Sequence, residues 1–135
     1  MTQHARFGAS YDLKMHLVLV TKYRRKVISA PILKRLEEIL RSTCQKWEVS
    51  LLEFNGESDH VHLLIDYHPN IQISKFVNNL KTVSSRLIRR DFGQELAKTY
   101  RNKPVFWTGA YYVGSCGSVT LDQLKRYVEN QHAPS

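Results

Sequence analysis

Short apolar runs alternate along this chain with stretches that repeat an apolar residue every three or four positions, and the alternation predicts its elements. Residues 11–20 end in Leu17-Val18-Leu19-Val20, a run apolar on both faces, which suits a central strand covered on both sides. Pro31 opens a helix, where its missing N–H costs nothing. Ile32, Leu33, Leu36, Ile39, Leu40 and Trp47 keep helical spacing as its core-facing stripe. Residues 49–54 predict a second strand, and Phe54-Asn55-Gly56 a turn into a third that contains His60-Val61-His62-Leu63-Leu64-Ile65, the two forming an antiparallel hairpin. After His68-Pro69-Asn70 a long helix is expected from Ile73 to about Phe92. Its stripe is Ile73, Phe76 or Val77, Leu80, Val83 and Leu87, with Gly93 as terminator. Residues 94–110 carry the least pattern, with Phe106 and Trp107 expected as core anchors under a loop. Tyr111-Tyr112-Val113 reads as a short fourth strand and residues 114–118 as a connection. Thr120-Leu121-Asp122-Gln123 matches a capping box and starts a last helix with Leu121, Leu124 and Val128 inward.

Strand, helix, strand, strand, helix, strand and a terminal helix make an α+β chain. The order is that of the ferredoxin-like split βαβ, an antiparallel sheet with helices on one face and the other face open. A single domain is expected over residues 1–135.

Side chains alternate along a strand, so His60, His62 and Leu64 share one face while Val61, Leu63 and Ile65 face the covering helices. Two imidazoles two residues apart on a stiff strand can address one ion. The triplet alone equally suits satisfied surface or core histidines. Asp59 either orients a histidine or merely makes the turn, and the turn is the preferred reading. His16 on the first strand could neighbour the pair. On the last helix Tyr127 and Gln131 stand four residues apart and share a side.

Charge adds a partner class. Twenty Lys and Arg against 12 acids give +8 and a pI near 9.7, which points to a polyanion, nucleic acid before membrane. Thr21-Lys22-Tyr23-Arg24-Arg25-Lys26 holds four cations around a tyrosine at the end of a strand. That mixture suits phosphates and a stacked base as well as a solvated loop. The long helix carries Lys75, Lys81, Arg86, Arg89 and Arg90 on its remaining faces. Lys22, Tyr23, Arg24, Arg25 and Arg86 are the candidate nucleic-acid contacts. No apolar run approaches a membrane span and no signal-peptide core opens the chain. Cys44 and Cys116 lie far apart without a CxxC pairing, as reduced thiols of a cytoplasmic protein do.

Together, Asp59-His60-Val61-His62-Leu63-Leu64 and Tyr127-Val128-Glu129-Asn130-Gln131 resemble the His-hydrophobic-His motif and nucleophile helix of the single-tyrosine HUH transposases of small bacterial and archaeal insertion sequences. The resemblance spans about residues 11–132, including the Thr21-Lys22-Tyr23-Arg24 turn and the approach from Trp107 to Tyr111-Tyr112-Val113. It implies a DNA transposase that binds imperfect hairpins near the element's ends and cleaves and rejoins single-stranded DNA. It further implies a homodimer in which the tyrosine helix of one subunit completes the histidine site of the other. Tyr127 would be the nucleophile, forming a 5′-phosphotyrosine. His60, His62 and Gln131 would hold a divalent ion, Mg²⁺ or Mn²⁺. Tyrosine needs a nearby cation or base to lose its proton, and rejoining through a covalent intermediate needs no ATP, in keeping with the lack of a P-loop. Histidine and amide donors suit Mn²⁺ better than Mg²⁺.

Three other readings compete. A domesticated relative that processes repeated extragenic palindromes would share the chemistry; the eight residues after Tyr127 give no sign of an added DNA-reading segment, which argues mildly against it. A non-catalytic single-strand or RNA-binding sheet would display aromatics on its central strands, whereas here His60, His62 and Leu64 stand on that face. A zinc site from His60, His62 and His68 lacks a suitably spaced fourth ligand.

Overall fold

The computed structural model describes residues 12–115. The expected terminal helix with Tyr127 and Gln131, and Cys116, lie outside the described residues. Within them the chain runs β1 (Leu13–Thr21), a one-turn 3₁₀ segment (Lys22–Arg24), α1 (Ala30–Lys46), β2 (Ser50–Gly56), β3 (His60–Tyr67), α2 (Ile73–Asp91), α3 (Gly93–Tyr100) and β4 (Trp107–Ser115). The four strands form one antiparallel sheet in the order β2-β3-β1-β4. The expected α+β split βαβ arrangement is present.

Register decides what each face carries. Leu17 pairs with Leu63, Leu19 with Val61, and Met15 with Ile65, so one face is a sheet of aliphatic side chains. Against it α1 lays Ile32, Leu36, Ile39 and Leu40, and α2 lays Phe76, Val77, Leu80 and Ile88, all buried in one core. Helix α1 starts where expected: the Ser29 hydroxyl caps the Ile32 N–H and Pro31 occupies the first turn. Trp47 stands just past its end, where the ring meets Phe76 edge-on and the indole N–H donates to Asn79 Oδ1 at 2.9 Å. That contact ties α1 to α2.

Three expectations need correction. The buried stripe of α2 passes through Ser84 and Ile88, leaving Val83 and Leu87 only partly buried. A serine is tolerated there because it donates to Leu80 O (2.6 Å) and accepts from the Trp107 indole (2.9 Å), so its buried hydroxyl is satisfied. Gly93 does not end the helical region. It opens α3, whose Leu96 and Tyr100 reach the core. Strand β4 is longer than Tyr111-Tyr112-Val113, and Trp107 is its first residue, paired with Thr21 across a register shift in β1.

The second face of the sheet carries His16, Val18 and Val20 from β1, His60, His62 and Leu64 from β3, Asn55 and Glu53 from β2, and Tyr112 from β4. Val18 and Val20 are fully buried on it, as a central strand apolar on both sides requires.

Candidate active site

The turn from β2 to β3 is held from three directions. Its Asp59 carbonyl accepts from the Thr21 N–H (3.0 Å) and hydroxyl (3.2 Å), and its Ser58 carbonyl accepts from the Ile28 N–H (2.9 Å). The Glu57 N–H donates to His60 O at 2.9 Å, closing the turn. Gly56 lies under α1: a β-carbon there would stand 2.5 Å from Leu33 Cδ1 and 2.9 Å from Val61 Cγ1. Only a glycine lets the helix come this close to the root of the histidine strand. His60 and His62 therefore leave a fixed turn into a paired strand, which limits where their rings can go.

The two imidazoles converge. Their rings meet edge to face with centroids 4.8 Å apart, and the two Nε2 atoms are 3.1 Å apart. Asp59 does more than make a turn. Its Oδ1 accepts from His60 Nδ1 at 2.7 Å, and its Oδ2 accepts from the Arg24 Nε–H at 2.9 Å. The carboxylate holds the His60 ring at Nδ1 with Nε2 turned toward His62. Burial pushes the Asp59 carboxyl up, but the hydrogen bonds from His60 and Arg24 outweigh it and leave the group below its usual range. The acid stays charged, as a partner for an N–H donor must. Burial first, and then the neighbouring His60, hold His62 below the ordinary imidazole value, so it stays neutral at pH 7.

Beside the pair lies a cleft of about 360 Å³ lined by His16, Glu53, Asn55, Glu57, His62 and Leu64. Glu57 extends its carboxylate to 3.5 Å from His60 Nε2. Among the described residues no group of three or more His, Cys, Asp or Glu gathers as a metal-ligand cluster. The structure thus brings together His60 and His62 with Asp59 and Arg24 behind them, and His16 is their neighbour across the cleft. Tyr127 and Gln131 lie outside the described residues.

The expected DNA contacts separate. Arg24 points inward to Asp59, while Arg25 is exposed beyond it. Lys22 stacks its ammonium 5.5 Å from the Tyr23 ring centroid. Arg86 is exposed on α2, in the helix layer on the other side of the sheet from the histidines. Asp59 and Arg24 as a linked pair were not visible in the sequence, where 35 positions separate them. An acid directly before the first histidine was the one available signal.

A family profile described as Transposase IS200 like matches residues 9–131, nearly the whole chain, and the chain therefore belongs to the IS200-like transposases. It is 33% identical over 121 residues to the transposase for insertion sequence element IS200 of Salmonella typhimurium, covering 90% of this chain and 78% of that protein. To the ISDra2 transposase TnpA of Deinococcus radiodurans it is 30% identical over 125 residues, covering 93% and 88%. The crystal structure of a chain from D. radiodurans R1 assigned to the transposases superposes with a TM-score of 0.86 at 32% identity, covering 98% of this chain and 99% of the other. A REP-associated tyrosine transposase bound to a REP hairpin matches at a TM-score of 0.50 and 9% identity, over 96% and 69% of the two chains, a likeness of fold alone.

Proposed function

We propose that this transposase recognises hairpins at the ends of its insertion sequence and cleaves and rejoins single-stranded DNA there, with Tyr127 as nucleophile. The observation that carries the site is the 3.1 Å approach of two imidazole Nε2 atoms, one of them on a ring oriented by a charged acid. Two nitrogens bound to one ion at about 2.1 Å each, in adjacent positions, are about 3.0 Å apart. The pair fits a shared divalent ion, with Gln131 as the third protein ligand, and its nitrogen donors favour Mn²⁺ over Mg²⁺. Bound there, the ion supplies Lewis acidity, drawing charge from a phosphodiester oxygen.

The chain's own groups do the rest. Tyr127 Oη attacks phosphorus in line, the P–O3′ bond breaks, and the proton lost by the phenol ends on the departing 3′-oxygen. The product is a 5′-phosphotyrosine and a free 3′-OH. Attack by a 3′-OH on that linkage reverses these bond changes and restores the phenol, so strand transfer needs no ATP. Asp59 keeps His60 in one tautomer throughout. The enzyme works as a homodimer in the cytoplasm, one subunit's Tyr127 serving the other's histidines.

The test is a labelled single strand carrying the DNA that flanks the gene, incubated with Mn²⁺ or Mg²⁺ or with chelator and then denatured. The expected result is a metal-dependent covalent adduct that Tyr127→Phe and His62→Ala both abolish. An adduct that survives Tyr127→Phe would move the nucleophile to another residue and sink the assignment.

A further inference from the structure

Between the Lys22–Arg24 turn and the end of α3 lies a second concavity, about 460 Å³, whose walls include Tyr23, Arg25, Lys98, Tyr100, Arg101 and Lys103. Four of these are cations, and no acid lines the hollow. Among the described residues none of the four lies within salt-bridge distance of a carboxylate, although most other arginines of the fold are paired, Arg24, Arg35, Arg41 and Arg90 among them. Four like charges around one hollow repel each other, and a fold that needed only solubility would spread them.

The backbone is also unusual here. Five non-glycine residues among those described have positive φ, and four of them, Tyr23, Arg24, Arg101 and Asn102, belong to the two loops that meet at this hollow. Left-handed backbone at bulky residues costs energy and gathers at sites of function. The loops are fastened to each other: Tyr100 Oη donates to Lys22 O at 2.9 Å, the Lys22 N–H donates to Phe106 O at 2.8 Å, and the Lys103 N–H donates to Tyr100 O at 3.0 Å. The cations are thus presented by braced loops, and one of them, Arg25, is next in chain to Arg24, whose guanidinium reaches Asp59 behind the histidines.

We infer that this hollow is a binding site for the phosphodiester backbone of single-stranded DNA, gripping the strand beside the turn whose Arg24 reaches Asp59. The inference rests on the reading of the chain as a single-strand DNA enzyme and adds where the strand is held. Unpaired DNA is the ligand, because a concavity of about 460 Å³ between two loops suits one flexible backbone, whereas a duplex spreads its paired phosphates over a broad convex surface.

Arg101 supplies a variant that separates binding from folding. It is the left-handed C-cap of α3, a position where glycine is preferred. Arg101→Gly with Lys98→Gln should therefore leave Tm unchanged or raise it. The same protein should bind a labelled, unpaired 20-nucleotide strand about tenfold more weakly in chelator. Its dependence of log affinity on log salt should flatten by ~1.4, about 0.7 for each phosphate that is no longer neutralised. A charge-matched control, Lys34→Gln with Lys46→Gln on α1, should stay within about twofold of wild type. A blunt duplex of the same length should lose no more from the hollow variant than from the control. Wild-type affinity and salt slope in the hollow variant, with wild type still forming its covalent adduct, would overturn the inference and leave the proposed function standing. A loss confined to duplex would overturn the single-strand assignment. Failure of the wild type to bind the unpaired strand at all would overturn the inference, and absence of the covalent adduct in the same protein would overturn the proposed function with it.

Discussion

The two faces of one sheet obey different rules. The helix-side face is built from Met15, Leu17, Leu19, Val61, Leu63 and Ile65, all buried and interchangeable in kind. The other face, one residue out of phase along the same strands, carries His16, His60 and His62, with Asn55 and Glu53 beside them. A strand's period of two lets one eight-residue element, β3, serve packing and chemistry at once. Stability and activity should therefore come apart along alternate positions of the same strand.

The sharpest contrast is between neighbours on β3. Leu63→Ala removes a fully buried side chain and should cost about 2–5 kcal/mol, read as a fall in the urea midpoint. His62→Ala should cost about 1 kcal/mol or less yet abolish the covalent adduct. If both variants unfold alike, the division between the faces is wrong. Gly56→Ala comes next: its methyl would collide with Leu33 and Val61, and such overpacking costs about 1–3 kcal/mol. Because the collision sits at the root of β3, this one change should damage both stability and adduct formation.

Asp59→Asn tests the link between His60 and the rest of the fold. Loss of an acid that orients a metal-binding histidine lowers metal affinity about 10–100-fold, measurable by Mn²⁺ titration followed by electron paramagnetic resonance. The pH dependence of stability has a definite sign. The folded carboxyl lies below its usual range, so near that range the unfolded chain binds more protons. The stabilisation is complete above the unfolded pKa and is lost as pH falls through the folded one. Asp59→Asn should flatten that acid limb of a thermal-denaturation series. The smallest effect is expected at Arg86, which lies in the helix layer. Arg86→Gln should leave cleavage intact and weaken strand binding at most a few-fold, with a salt slope lower by no more than about 0.7.

Much of this was legible in the order of residues. The run Leu17–Val20, the stripe from Ile32 to Leu40 behind Pro31 in α1 and the alternation through His60 and His62 each state their element, because burial imposes a period. Helix α3 escaped because only Leu96 and Tyr100, four apart, are buried in it, and Gly93 before them resembles a terminator. The early part of β4 escaped because Trp107 and Thr108 are followed by exposed Gly109 and Ala110 at a register shift, which breaks the alternation. The role of Asp59 was hidden for another reason. Its local sequence fits a turn, and only the fold brings Arg24 across to fix its carboxylate on His60.

The most direct test is diffraction from crystals grown with Mn²⁺, with anomalous data collected at the manganese edge. One strong anomalous peak is expected about 2.2 Å from the Nε2 atoms of both His60 and His62, with Asp59 still holding His60 Nδ1. A Mn²⁺ ion bound elsewhere, in a protein that still forms its adduct, would contradict this assignment.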